Sequence, residues 1–121
     1  MSGNTAAELY LLVIRVADVV RTKEMYESLG LVFSREQHGS GPEHFAAVVN
    51  GVVFEIYPQK NRVEQERGVR LGFRVESVDR VLESLAKFAI ETVVAPHDAA
   101  YGRRAVVRDP DGYIIEISSL K

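Results

Sequence analysis

The sequence predicts an α+β fold: two βαβββ units in tandem, forming a cupped mixed sheet with the helices on its outer face. Three observations predict it. The order of apolar runs and helical stripes in residues 8–58 recurs in residues 69–119. "RVADVVR" at 15–21 and "RVESVDR" at 74–80 share four of seven residues at an offset of 59. Last, one glutamate sits inside each of two strand-like runs, "VVFEIY" at 52–57 and "YIIEIS" at 113–118, placing Glu55 and Glu116 at an offset of 61. Neither unit alone buries its sheet face, so the two are expected to pack together as one domain over 1–121, with about 59–68 as the connection.

Each element has a local cause. Residues 9–16 are rich in Leu, Val and Ile, as a strand requires, and Asp18 stands where a helix N-cap belongs. A helix from about Val19 to Leu29 brings Val19, Val20, Met25, Tyr26 and Leu29 to one side, and Gly30 stops it. "VFSREQ" at 32–37 leads through the loop "HGSGPE" to "HFAAVV" at 44–49, which meets "VVFEIY" across Asn50-Gly51, a strong hairpin signal. The polar, glycine-terminated "KNRVEQERG" at 60–68 then links the halves. In the second unit, "VRLGFRV" at 69–75 is a strand, Ser77 an N-cap, and Val78, Val81, Leu82, Leu85 and Phe88 a helical stripe. "ETVVAP", "RRAVVR" and "YIIEIS" complete it, the last two joined by the turn "DPDG" at 109–112.

Composition narrows the function. A 121-residue chain that is 46% apolar holds ample material for a core. Its formal charge of -2, with signs interspersed and no basic cluster interleaved with aromatics, argues against a nucleic-acid partner. Cysteine is absent, which removes disulfides, thiolate metal sites and thiol nucleophiles. "LYLLVI" at 9–14 is interrupted by Arg15 well short of a bilayer span, and no charged leader precedes it, so a cytoplasmic protein without a membrane partner is expected.

The two glutamates carry the functional question, because an ionised carboxylate in an apolar strand must be paired, solvated or neutralised. Strand alternation puts Val52, Phe54 and Ile56 on one face and Val53, Glu55 and Tyr57 on the other. Across a two-residue hairpin Val48 faces Val53, Ala46 faces Glu55 and His44 faces Tyr57. The opening strands add Leu11, Val13 and Arg15, and then Arg70, Gly72 and Arg74, to the face away from the helices. Aliphatics, tyrosine, histidine, glutamates and arginines together suit the lining of a small-molecule pocket. Arg70, Arg15, Arg74 and Arg104 are the candidates to neutralise Glu55 and Glu116. Arg70 also suits an anionic ligand, its planar fork matching a carboxylate or phosphate. His44, Tyr57 and Tyr101 are further ligand-contact candidates, and "HGSGPE" at 38–43 has the composition of a lid but no phosphate-loop pattern. Ser28 and Ser84 fall on predicted helices with no base beside them, so a Ser/His/Asp triad is not supported.

The βαβββ duplication, the opening "LLVIRVADVVRTKEMYESLGL", the strand "VVFEIY" and the ending "YGRRAVVRDPDGYIIEI" together resemble the vicinal oxygen chelate superfamily, which includes glyoxalase I, extradiol dioxygenases and the fosfomycin- and bleomycin-resistance proteins. The resemblance implies a divalent ion held by the first and last strands of each unit, at positions that fall here on Leu11, Glu55, Arg70 and Glu116. Leu11 has no donor atom and Arg70 is a permanent cation. Two carboxylates without an imidazole make a weak site for a transition metal, so no cofactor is expected. A divalent metal, if bound, would use Glu55 and Glu116, or a rearranged site drawing on His44 or His97. The resemblance thus implies a binding protein of the bleomycin-resistance type, forming homodimers and holding a small molecule in its cup through Arg70, His44, Tyr57, Leu11, Val13, Arg15, Arg104 and Tyr101. The alternatives are a metal-dependent lyase or isomerase resembling glyoxalase I, with Glu116 and Glu55 as catalytic groups, or a dioxygenase-like enzyme.

Overall fold

Why the chain turns where it does is visible in a computed structural model, which describes residues 8–60 and 69–120. Most of the connection expected at about 59–68 lies outside the described residues. Strand β1 (Leu11–Val16) runs into helix α1 (Val19–Glu27), whose N-cap Asp18 accepts the Arg21 amide at 3.0 Å. Such a cap is worth about 1 kcal/mol. The helix ends two residues short of the expected Leu29, and Gly30 then takes a φ of 98° that a side chain would resist. Strands β2 (Ser34–Glu36), β3 (His44–Val49) and β4 (Val52–Pro58) follow. Asn50 and Gly51 both have positive φ, 50° and 83°, the pairing that matches a tight hairpin to the strand twist.

The second unit repeats the order with β5 (Arg70–Arg74), α2 (Val78–Leu85), β6 (Glu91–Ala99), β7 (Gly102–Arg108) and β8 (Ile114–Leu120). Ser77 caps α2 through the Arg80 amide. Strand β6 is longer than the expected "ETVVAP", and its register against β7 shifts twice, between Thr92 and Val94 and between Val94 and His97.

Each unit makes its own four-stranded mixed sheet, in the orders β1-β4-β3-β2 and β5-β8-β7-β6. In both, the first and last strands are parallel neighbours and the remaining pairs antiparallel. The cup expected from one mixed sheet is thus divided between two. The helix-facing side chains of both units join one continuous core: Ile14, Val16, Phe54 and Ile56 with Met25 and Tyr26 from the first, and Leu71, Ile115 and Ile117 with Val78 and Leu85 from the second. Tyr26 bridges them, edge-on to Phe54 with ring centroids 5.0 Å apart and 5.6 Å from Phe73 of β5.

The "DPDG" turn reinforces the junction. Asp109 Oδ1 accepts the amides of Asp111 and Tyr113, both at 2.9 Å, which shapes the turn. Asp111 then accepts the Ala17 amide of the first unit at 2.8 Å and faces Arg21 at 3.6 Å. The Tyr113 hydroxyl donates to the Arg15 carbonyl at 3.1 Å. No helix among the described residues is long and apolar enough to cross a membrane.

Candidate functional site

With one face of each sheet committed to the core, the opposite face is left for other work. Glu55 pairs laterally with Val13 and Ala46, and Glu116 with Gly72 and Val106, so each glutamate stands on the open face flanked by small or aliphatic residues. The repeat holds at the next position as well. Two residues before Ala46 lies His44, and two before Val106 lies Arg104.

On the second sheet Arg104 donates to Glu116 at 2.9 Å, an ion pair whose side chains are each about one third exposed. Solvent screening limits its worth to roughly 1 kcal/mol or less. Beside it a cavity of about 320 Å³ is lined by residues including Arg74, Tyr101, Arg104, Glu116 and Ser118. Among the described residues Arg74 has no ion-pair partner, and Tyr101 is exposed at the rim. Gly102, with φ 152°, closes one wall; a Cβ there would sit 1.8 Å from the Ser119 carbonyl oxygen, so the β6–β7 turn lies flush on β8 only because no side chain intervenes. Nearby Arg103 forks between Asp79 and Asp98, and its hydrogen bond holds the Asp79 carboxyl below its ordinary value. Arg70, exposed on β5, makes no ion pair among the described residues.

On the first sheet an imidazole takes the place of the guanidinium. His44 Nε2 lies 3.7 Å from Glu55 and 3.5 Å from Glu36, while the ring stacks on Tyr57 at 4.1 Å and an interplanar angle of 10°. The Arg15 guanidinium sits over the other aromatic partner, 5.4 Å from the Tyr57 centroid. Partial burial, then the charge of Glu55, pushes the Tyr57 hydroxyl pKa up. Leu11 and Val13 complete this face, with Leu11 exposed.

The residues named from the sequence therefore fall into two groups: Leu11, Val13, Arg15, His44, Glu55 and Tyr57 on one sheet, Arg70, Tyr101, Arg104 and Glu116 on the other. The expectation that arginine answers both glutamates holds for Glu116 through Arg104, whereas Glu55 faces His44. Glu36 and His38 were not anticipated as neighbours of Glu55. Their signal is the i, i+2 spacing in "EQH" at 36–38 together with the β2–β3 pairing that sets Glu36 opposite His44.

Two βαβββ units in tandem, each offering an open sheet face, define the class of fold. A model of the Glyoxalase/Bleomycin resistance protein/Dioxygenase superfamily matches residues 9–117, and the chain belongs to that superfamily. Solved structures share the fold. An antibiotic binding protein, TnmS3, from Streptomyces sp. CB03234 superposes with a TM-score of 0.71 at 20% identity, covering 98% of this chain and 100% of that one. A glyoxalase/bleomycin resistance protein/dioxygenase family enzyme from Burkholderia phytofirmans PsJN gives 0.72 at 19% identity, with coverages of 95% and 100%. A glyoxalase-related enzyme from Fulvimarina pelagi gives 0.72 at 20% identity, with coverages of 94% and 88%.

The superfamily's divalent ion can be tested against the residues present. Of the four positions that the resemblance assigns to it, Leu11 offers no donor, Arg70 is a cation, and Glu116 is held by Arg104. Two carboxylates, one of them engaged by a guanidinium, do not make a coordination sphere.

Proposed function

We propose that the chain is a small-molecule binding protein of the glyoxalase/bleomycin-resistance type, holding a ligand on its open sheet faces without a metal at the superfamily's usual positions. The observation that carries this reading is the cavity beside Glu116, where Arg74 and Arg104 supply guanidinium donors, Tyr101 an aromatic surface and Ser118 a hydroxyl. Guanidinium forks beside an aromatic ring suit a planar ligand bearing a carboxylate or similar anion. The antibiotic binding named for the Streptomyces neighbour supports a small-molecule ligand. A homodimer belongs to this proposal, because a second copy laid across the open faces would cover exposed Leu11 and Val48 and deepen the cup. So does a cytoplasmic location.

The metal-dependent lyase or isomerase reading has one observation in its favour, the pairing of imidazole and carboxylate on the first sheet. Glu55 would then be the proton-transfer group nearest a cation, with Glu116 restrained by its arginine. The two readings part in a thermal-shift screen of aromatic antibiotics, glutathione adducts and small carboxylates. At a concentration one hundred times its Kd, a ligand adds about 2.7 kcal/mol of stability. A melting-temperature rise of several degrees with at least one class is expected for the wild type, and it should shrink in Arg74→Ala and Tyr101→Ala. The binding reading fails if no compound shifts the transition, or if a compound is turned over rather than retained.

A further inference from the structure

The first sheet carries a set of donors that shares only Glu55 with the superfamily's ligand positions and that the ligand-binding reading does not use. One ligand atom each from Glu36, His38, His44 and Glu55 lies within 4.8 Å of the others. Three of the separations are 3.5 Å from His44 Nε2 to Glu36, 3.7 Å from His44 Nε2 to Glu55, and 3.7 Å from His38 Nε2 to Glu36. An ion bonded tetrahedrally at about 2.0–2.2 Å sets its ligand atoms roughly 3.4 Å apart. Those three separations are close to what coordination requires and too wide for good hydrogen bonds.

His44 makes the case. Its Nδ1 lies 3.2 Å from the Pro42 carbonyl oxygen, which can only accept, so Nδ1 donates there and Nε2 is the ring nitrogen turned to the cluster. That Nε2 is buried and has no hydrogen-bond partner, in a side chain only 1% exposed. The groups facing it, Glu36 and Glu55, are acceptors too. A buried nitrogen that faces two carboxylates and is hydrogen-bonded to neither costs about 1–3 kcal/mol, which a cation seated between the three would relieve. A backbone carbonyl on the far nitrogen is the usual device for orienting a metal-binding imidazole, and Tyr57, stacked at 4.1 Å, fixes the ring plane.

We infer that Glu36, His38, His44 and Glu55 form a site for a first-row transition-metal ion of the zinc, cobalt or nickel class, built from β2, β3, β4 and the β2–β3 loop of the first unit alone. Two imidazoles with two carboxylates select such ions over magnesium or calcium, whose preference is for oxygen throughout. The second unit shows what happens without that role. There His97 stands opposite Arg104, as Glu36 stands opposite His44, and the Arg104 guanidinium occupies the place beside Glu116 that the ion takes beside Glu55.

The test is a titration of the full-length chain, stripped with a chelator, with cobalt(II), followed by its visible d–d absorption and by calorimetry. One ion per chain is expected, with a melting temperature raised by several degrees. His38→Ala and Glu36→Gln, at exposed and half-exposed positions that leave the core untouched, should each weaken binding by about tenfold or more. His44→Gln should abolish it; if that variant does not fold, the other two decide. Glu116→Gln should bind as the wild type does. The proposal is overturned if the wild type takes up no cobalt saturably, if binding survives both His38→Ala and Glu36→Gln, or if Glu116→Gln loses the ion, which would place it at the superfamily's positions instead.

Discussion

Tyr26→Ala is expected to lower the unfolding free energy by about 3–5 kcal/mol, the range for truncating a fully buried aromatic. Tyr26 belongs to α1 of the first unit, yet its ring touches Phe54 of its own sheet and Phe73 of the other unit's first strand. Removing it opens a cavity where the two units share their core, so neither sheet can close the gap alone. The hydroxyl contributes little, being buried without a hydrogen-bond partner. Burial, with Asp109 next in weight, raises its pKa well above the ordinary tyrosine value. Tyr26→Phe should accordingly stay within about 1 kcal/mol of the wild type, or exceed it. Urea denaturation of the two variants checks both statements; a loss below about 1 kcal/mol for Tyr26→Ala would mean that the units do not depend on this contact.

Asp109→Asn is expected to stabilise the protein at pH 7.5 and to have almost no effect at pH 4. Burial pushes the Asp109 carboxyl up to about 6; the Tyr113 amide opposes the rise and the Asp111 charge adds to it. The ordinary value is 3.8, so the folded state binds this proton more tightly by about 6 − 3.8, or roughly 2 pH units. Between about pH 4 and pH 6 the native state therefore holds more protons than the unfolded chain, and stability falls as pH rises through that window, by roughly 3 kcal/mol in all. Asparagine keeps an oxygen for the Asp111 and Tyr113 amides, now at 2.9 Å from Oδ1, and carries no charge to desolvate. The variant should gain about 1–3 kcal/mol at pH 7.5, less the weaker acceptor strength of an amide, with the difference vanishing below pH 4. Chemical denaturation of both proteins at the two pH values measures it, and a variant less stable than the wild type at pH 7.5 would contradict it.

Much of this architecture is legible in the residues because strands alternate strictly. The parity of "VVFEIY" and "YIIEIS" is enough to send Phe54, Ile56, Ile115 and Ile117 into the core and both glutamates to the open faces, and Asn50-Gly51 fixes the β3–β4 register that sets Ala46 opposite Glu55. Less is legible where register depends on irregular backbone. The first shift in β6, between Thr92 and Val94, carries no glycine or proline signal, whereas the second spans Pro96, which cannot donate to the ladder, and nothing in the loop "HGSGPE" announces that it returns His38 to the neighbourhood of His44. The choice of Arg104 for Glu116, among four candidate arginines, follows from the β7–β8 pairing across a turn shaped by the Asp109 side chain. That turn reads locally as a reverse turn only; its second role, presenting Asp111 and Tyr113 to the backbone of Arg15 and Ala17, is a contact across 94 or more residues of sequence that no short pattern reveals.

The central claim, that a small molecule is held on the open sheet face beside Glu116, is tested most directly by mapping amide chemical shifts while titrating a compound that raises the melting temperature. The account predicts that the largest changes fall on β7 and β8 around Arg104, Glu116 and Ser118 and on the turn at Tyr101, and that Arg74→Ala weakens the response. Changes confined to the helices α1 and α2, with these strands unmoved, would contradict it.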